Sequence, residues 1–184
     1  MTERIVADLA PLVVPLDRLR PLAGNPRRGD VEAVSRSLER FGQHRPVVAR
    51  PVGVDDGQPV GEVLAGNHLV AAARLLGWTD IAVVWVDDDD TTATARALAD
   101  NRTSDLGTYD DQLLAEALRT VSDDGDLLRA TGYLPDDLRT LSETADDLDA
   151  LLASFEPEDG PTSRLDERRP VKCPACGHEW RVPR

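Results

Sequence analysis

Residues 60–86 read VGEVLAGNHLVAAARLLGWTDIAVVWV, and this stretch decides the fold. Its first six residues are typical of a β-strand, and Gly66-Asn67 then opens a segment whose apolar residues recur at helical spacing. Those apolar residues are Leu69, Ala72, Ala73 and Leu76. Gly77 ends the helix, because glycine readily adopts the left-handed backbone that follows many helices. Residues 80–86 are rich in valine, isoleucine and tryptophan, so the stretch predicts a strand, a helix and a second strand in succession.

Three more elements are predicted before this unit. Residues 12–22 mix prolines with valine and leucine, and they indicate a short strand followed by a turn. A helix over 31–41 follows, because its apolar residues fall on one face, with Asp30 as its N-cap and Gly42 as its end. Residues 46–52 form a strand, which the glycine- and aspartate-rich segment after it turns back towards residue 60.

The chain beyond the second strand becomes acidic and helical. The run Asp87–Asp90 precedes a third predicted helix, at about residues 91–100. We interpret this run as helix capping rather than a metal site, because a helix N-terminus favours negative charge. From residue 110 onward only helical periodicity remains. The predicted parts are an α+β domain at 1–108, an acidic helical extension at 109–155, a proline- and acid-rich linker at 156–170 and a cysteine-bearing tail at 171–184.

Charge and composition indicate which partners and which cellular location to expect for this chain. The 184 residues carry a net charge of −13, but residues 1–50 hold nine basic and six acidic side chains, whereas residues 111–160 hold three and fourteen. A nucleic-acid partner would therefore contact the two ends of the chain rather than its acidic middle. No apolar run approaches the roughly 20 residues of a membrane helix, so no membrane partner is expected. Two cysteines exclude a disulfide framework, and with no secretory signal visible we expect a cytoplasmic protein.

Five short motifs, taken in order, resemble the N-terminal domain of ParB-like proteins, in the ParB/sulfiredoxin superfamily. They are Asn25-Pro26-Arg27, the run GQHRPVV at 42–48, the run VLAGNH at 63–68, Leu76-Gly77-Trp78 and Asp100-Asn101-Arg102. The resemblance covers residues 12–108 and implies a ParB/sulfiredoxin-like fold, a small sheet with helices. The segment around Thr131-Gly132-Tyr133 is similar to the region C-terminal to this domain in ParB-like proteins associated with DNA methyltransferases and phages.

The resemblance implies a nucleotide site at the loop of Gly66, Asn67 and His68, which holds phosphates in the family. Glycine allows close backbone approach there, and the following helix directs free N–H groups and its positive end at an anion. Family members that bind nucleotide have a Gly-x-Arg-Arg pattern, and this chain has His68 and Leu69 at the arginine positions. The remaining candidate contacts are Gln43 and Arg45 at the rim, and Asn101 and Arg102 on the later helix, with Asp100 as a ligand for Mg²⁺.

The expected function is nucleotide binding, of CTP or ATP with Mg²⁺, by an accessory or regulatory protein in DNA modification, partition or transcription. At most weak nucleoside triphosphatase activity is expected. The expected partners are the nucleotide, DNA or a DNA-modifying enzyme, and a second copy of the chain in a homodimer. The segment Asn25–Arg28 is either an exposed turn or a phosphate contact.

Two other functions stay open. In one, the chain is a degenerate ParB-like adaptor that binds no nucleotide and recruits a DNA enzyme through its acidic helices. In the other, it is a metal-dependent nuclease, although the sequence has no pair of acidic clusters with histidine typical of a two-metal centre. The chemistry of the sulfiredoxin branch is excluded, because position 67 is asparagine where that branch needs cysteine.

The tail contains a separate motif, KCPACGHEW at residues 172–180. Cys173 and Cys176 have the spacing of a zinc knuckle, and Gly177 suits the turn after them. The motif is similar to half a zinc ribbon. His178 is a candidate third ligand, and a fourth would come from a second subunit or a partner. The alternative is a remnant that holds no metal.

Overall fold

A computed structural model describes residues 4–143 and 169–182 of the chain. The chain divides into two compact units, Met1–Ala145 and Asp146–Arg184. Across the described residues, no helix combines the length and the apolar character needed to cross a bilayer.

The first unit is built on a mixed five-stranded sheet. Its strands are β1 (Val13–Pro15), β2 (Leu19–Pro21), β3 (Val47–Asp55), β4 (Gln58–Ala65) and β5 (Asp80–Trp85). Their order across the sheet is β1-β5-β3-β4-β2. β3 and β4 form an antiparallel hairpin, and β5 lies parallel to β3. β1 pairs antiparallel with β5 and β2 pairs parallel with β4, so these two short strands form the opposite edges of the sheet.

The edge strands differ from the sequence expectation. Residues 12–22 were expected to hold one short strand and a turn, but they hold two strands separated by a 3-10 turn at Leu16–Arg18. Proline ends each strand, at Pro15 and Pro21, because it has no N–H to continue a ladder. The turn between them carries the chain from one edge of the sheet to the other.

Five named helices accompany the sheet. They are α1 (Val31–Phe41), α2 (Asn67–Leu75), α3 (Asp90–Asp105), α4 (Asp111–Val121) and α5 (Gly125–Ala130), and residues 135–143 are also helical. The predicted cap of α1 is confirmed, since the Asp30 carboxylate accepts a hydrogen bond from the Ala33 N–H at 2.9 Å. α3 continues to Asp105, past its predicted end near residue 100, because neither glycine nor proline occurs before Gly107.

The hydrophobic core lies between the sheet and the helix pair α1 and α2. Its buried members include Leu38 from α1, Val70 from α2 and Val47, Val63 and Ile81 from the strands. The later helices belong to the same compact unit, because α5 packs on α1 and α4 packs on α5. The structure is therefore α+β, as the sequence predicted.

Candidate functional site

A cleft of about 350 Å³ lies where α1 ends, β4 leads into α2 and the second half of α3 passes over them. Seven of the predicted site residues line it: Gln43, Arg45, Gly66, Asn67, His68, Asp100 and Asn101. Arg102 is exposed and is not among the lining residues. The fold thus brings together residues from the loop after α1, the start of α2 and α3.

The turn at Gly66 forms the floor of the cleft. Gly66 has φ of 92° and ψ of 21°, a left-handed conformation that side chains disfavour, and a Cβ there would lie 3.2 Å from Cγ2 of Val47. It is the N-cap of α2 and no side chain caps the helix. The first N–H groups of α2 consequently have no intrahelical acceptor at a point that lines the cleft.

Asn67 joins neighbouring elements around this turn. Its Oδ1 accepts a hydrogen bond from the Leu22 N–H at 3.2 Å, and its Nδ2 donates to the Val63 carbonyl at 3.0 Å. The side chain therefore ties the end of β2 to β4. Asn67 was expected to open α2, and the structure has it as the first helical residue, with Gly66 before it as the cap.

His68 joins the cleft to the loop before α1. Its Nε2 accepts a hydrogen bond from the Gly29 N–H at 2.8 Å. Since this nitrogen acts as an acceptor, the proton of the neutral ring is on Nδ1. Arg28, next to Gly29, lines a second cavity of about 290 Å³, to which His68 also contributes.

Gln43 is the most deeply buried polar residue of the cleft, with 1% of its surface exposed. Its amide donates to the carbonyl groups of Arg45 at 3.0 Å and Ala82 at 2.9 Å, and its oxygen accepts from the Ala82 N–H at 2.7 Å. The sequence analysis assigned Gln43 a nucleotide contact at the rim. The structure shows an amide already bonded to β5 and to the loop that carries Arg45.

Arg27 and Asn25, which the sequence analysis left between two interpretations, both line the cleft. Arg27 donates from Nη1 to the Asn101 carbonyl at 3.1 Å and forms an ion pair with Asp105 at 3.0 Å. It therefore holds the second half of α3 against the loop before α1. The sequence identified Arg27 as a candidate because it is an arginine in a motif. It gave no indication that Arg27 would contact α3.

Several polar side chains in the cleft are unpaired. Within residues 4–143, no side-chain hydrogen bond or ion pair is made by Ser37, His44, Arg45, Asp100 or Asn101. Asp100 and Arg45 are exposed and Asn101 is half-buried. The side chains of Ser37 and Ser104 add two hydroxyl groups that the sequence analysis missed, because serine on a polar helix face carries no distinctive pattern.

A network of charges positions α3 on the sheet. Arg50 on β3 contacts Glu62 on β4 at 2.7 Å and Asp90 at 2.8 Å, and Arg96 forms an ion pair with Asp88. The hydrogen bond from Arg96 lowers the pKa of the Asp88 carboxyl, and backbone N–H donation from Thr92 lowers the pKa of Asp89.

These contacts also show what the aspartate run at 87–90 does in the fold. Asp89 is the N-cap of α3, accepting from the Thr92 N–H at 2.7 Å, so the capping interpretation is confirmed. Asp88 and Asp90 face arginines rather than a common point.

The other predicted ligands lie in the second unit, where Cys173, Cys176 and His178 occupy a hairpin over residues 169–182. Both cysteines are free thiols. No three His, Cys, Asp or Glu side chains come together as a metal-binding group in the described parts of the chain.

No protein-family model matches the sequence, and no curated protein matches it either. Among solved structures, the chain is similar to the C-terminally truncated chromosome-partitioning protein ParB from Caulobacter crescentus complexed with CTP-gamma-S. The two share 19% sequence identity and a TM-score of 0.61, over 80% of this chain and 87% of the other. Sulfiredoxin from Arabidopsis thaliana is 22% identical and covers 47% of this chain, with a TM-score of 0.36.

The likeness to the Caulobacter protein establishes the fold, which is ParB-like, as the sequence motifs predicted. At 19% identity it establishes the fold alone. The resemblance to ParB-like proteins associated with DNA methyltransferases and phages stays a prediction.

Proposed function

We propose that the chain binds a nucleoside triphosphate, CTP or ATP with Mg²⁺, in the cleft and acts as an accessory or regulatory protein in a DNA transaction. The observation that carries this proposal is the convergence of uncapped N–H groups at Gly66 with the unpaired guanidinium of Arg45. Backbone N–H groups at a helix N-terminus and an arginine are two recurrent ways in which proteins hold phosphate.

The phosphate end would lie over the first turn of α2. The N–H groups there are donors without acceptors, and Arg45 adds one positive charge where the family pattern has two arginines, at the positions of His68 and Leu69. His68 would contribute through Nδ1, since its Nε2 accepts from Gly29. The N–H groups of α2, Arg45 and His68 would together replace part of the positive charge of a Gly-x-Arg-Arg loop.

The wall of the cleft formed by α1 suits the rest of a nucleotide. Val34 and Leu38 give it apolar surface, and Ser37 gives it a hydroxyl group. A volume of about 350 Å³ falls within the range of small-molecule sites in proteins. A base or ribose would pack on this wall.

Asp100 and Asn101 add oxygen atoms to the lining of the same cleft. Mg²⁺ in proteins is usually bound by one or two carboxylates together with substrate phosphates. Asp100 would be the carboxylate, and the metal would neutralise the triphosphate. Arg102, which the resemblance grouped with these residues, would take no part.

A role in a DNA transaction is supported by the ParB-like fold, because the similar Caulobacter protein is a chromosome-partitioning protein. The charge distribution favours a DNA contact at the basic ends of the chain, away from the acidic helices. The expected partners are therefore DNA or a DNA-modifying enzyme, and a second copy of the chain.

Calorimetric titration with CTP, ATP, GTP and UTP, each with and without Mg²⁺, tests the proposal. Selective binding of one nucleotide that is weakened by Mg²⁺ removal and by Asn101→Ala supports it. Absence of binding at millimolar nucleotide overturns it.

The second candidate is a ParB-like adaptor without nucleotide. Two observations favour it: His68 is hydrogen-bonded to Gly29, and the charge of Arg27 is paired with Asp105. In this case deletion of residues 110–155 would abolish partner binding. A metal-dependent nuclease has less support, because the described residues contain no metal-binding group of His, Cys, Asp or Glu.

A further inference from the structure

A cavity of about 330 Å³, the α1–α5 cavity, lies where these two helices of the first unit pack together. α1 contributes Arg36, Glu39 and Arg40, which share one face of the helix because they are three and four residues apart. α5 contributes Asp126 and Arg129. Three guanidinium groups and two carboxylates thus line the cavity, and its net charge is +1.

The α1–α5 cavity is separate from the nucleotide cleft. The two share no lining residue. The residues of α1 that line the cleft, Val34, Ser37 and Leu38, lie on the opposite face of the helix from Arg36 and Glu39, because successive helical residues are turned by about 100°. A ligand in this cavity would therefore be independent of the proposed nucleotide.

Arg36 is the residue whose charge the fold leaves unmatched. Its side chain is half-buried, and its Nε is buried without a hydrogen-bond acceptor. Among the residues that the structure describes, Arg36 forms neither a hydrogen bond nor an ion pair. A donor that loses water without gaining an acceptor costs free energy, and the cost is larger for a charged group. Arg36 therefore brings an unpaired guanidinium group to the cavity.

The other two arginines are held weakly. Arg40 Nη2 lies 3.4 Å from Asp124 Oδ2, and Arg129 Nη1 lies 3.4 Å from Asp126 Oδ1. Strong hydrogen bonds between a guanidinium group and a carboxylate have N···O distances of about 2.7–2.9 Å. Both pairs are exposed to water, where an ion pair contributes little to stability. Both guanidinium groups can therefore turn to a stronger acceptor at small cost.

We propose that the α1–α5 cavity binds a phosphate group through Arg36, Arg40 and Arg129. Guanidinium groups fit the oxygen atoms of phosphate in paired hydrogen bonds. A phosphate group presents more acceptor oxygens than a carboxylate, so one phosphate meets several guanidinium groups at once. The carboxylates that the chain itself places in this cavity leave Arg36 unpaired.

Two sources can supply this phosphate group, a small phosphate-bearing molecule or the backbone of DNA. Both present the same oxygen atoms to the arginines. α1 belongs to the basic part of the chain, since residues 1–50 hold nine basic and six acidic side chains, and this favours either anion. The experiment therefore uses two probes, inorganic phosphate and a short DNA duplex, each with the full chain.

Binding of inorganic phosphate is measured by calorimetry, and the Arg36 Nε–H resonance is followed by NMR. We expect saturable binding and a shift of this resonance. Arg36→Gln should bind phosphate roughly 10- to 100-fold more weakly. It should keep the wild-type thermal unfolding, because the charge that it removes has no partner in the fold. Arg129→Gln, at an exposed position, should also weaken binding and repeats the test on a second residue.

Two control variants separate binding from a change of structure. Glu39→Gln removes a negative charge from the cavity and should strengthen phosphate binding, whereas a disturbed α1 would weaken it. Arg20→Gln removes an exposed arginine of β2, outside both the cavity and the cleft, and should bind phosphate like the wild type.

Binding of the DNA duplex at low salt is measured by fluorescence anisotropy with the same variants. Weaker duplex binding by Arg36→Gln and Arg129→Gln, but not by Arg20→Gln, would identify the DNA backbone as the source. A dependence on these two arginines for inorganic phosphate alone would identify a small molecule. The proposal is overturned if neither probe depends on Arg36 and Arg129, if Arg20→Gln weakens binding equally, or if Glu39→Gln weakens it.

Discussion

Gly29 and His68 are 39 residues apart in sequence, yet the Gly29 N–H donates to Nε2 of His68 at 2.8 Å. A side chain at position 29 would force the His68 ring to move, because a Cβ there would lie 2.8–2.9 Å from atoms of that ring. The loop before α1 is thus held directly against the first turn of α2, and together they form one side of the cleft.

Gly29→Ala should destabilise the protein. The added methyl group overlaps with the imidazole ring of His68. The ring must move to remove this overlap, and its hydrogen bond with the N–H of residue 29 then breaks. We expect a loss of about 1–3 kcal/mol in the free energy of unfolding, measured by urea denaturation. Gly53→Ala is the control, since a Cβ at Gly53 has no heavy atom within 4 Å. Equal stability of the two variants would contradict the close contact.

Arg45→Ala should weaken nucleotide binding without altering stability. Its side chain has no partner within residues 4–143, so its removal leaves no group of the fold unsatisfied. Loss of a charged hydrogen bond to phosphate corresponds to roughly 10- to 100-fold weaker binding by calorimetry. Arg102→Ala, which removes the same charge outside the cleft, should bind nucleotide like the wild type. Equal weakening in both variants would indicate a general charge effect instead.

Gln43→Leu should be strongly destabilising, although the two side chains have similar size. The substitution leaves the buried N–H and carbonyl of Ala82 without their partner, and it also removes the donor to the part-buried carbonyl of Arg45. We expect a loss of about 2–4 kcal/mol in the free energy of unfolding. Gln58→Leu, at an exposed position on β4, is the control and should change stability little. A near-neutral Gln43→Leu would show that the buried amide does not hold the Arg45 loop.

The ion pair between Asp88 and Arg96 should make stability depend on pH. The pKa of Asp88 is lowered in the folded state, so its contribution is present above the unfolded value of about 3.9 and is lost as pH falls through the folded value. Asp88→Asn should therefore be less stable than the wild type at pH 7, and the difference should shrink below about pH 4.

Thermal unfolding between pH 7 and pH 2 measures this difference. Asp87→Asn is the matched control, because the exposed Asp87 makes no ion pair within the described residues. A difference between Asp88→Asn and the wild type that stays constant across this range would argue against the ion pair.

Much of the local structure was accessible from the sequence. The strand before Gly66, the Gly66 turn, helix α2 and the position of β5 were predicted from one continuous stretch, and the Asp30 cap was predicted from the helix pattern that follows it. These features depend on near neighbours along the chain, where periodicity, glycine and capping residues act within a few positions. The family motifs, read in order, then indicated the ParB-like fold and most of the lining of the cleft.

Other features depended on contacts between distant residues. The split of residues 12–22 into strands on opposite edges is decided by pairing with β5 and β4, which no local pattern specifies. The sequence alone grouped Asn101 with Arg102, but successive helical residues point about 100° apart, so one lines the cleft and the other does not.

The role of the buried Gln43 side chain could not be predicted from the sequence either. Its residue type suits a ligand contact and a structural hydrogen bond equally well, and only the position of Ala82 on β5 decides between them. The sequence by itself determined α1 with its Asp30 cap, the Gly66 turn with α2, and β5, because these depend on interactions between near neighbours. The tertiary structure alone decided which polar side chains are bonded within the fold and which, like Arg45, are free to meet a ligand, because that depends on partners brought close by folding.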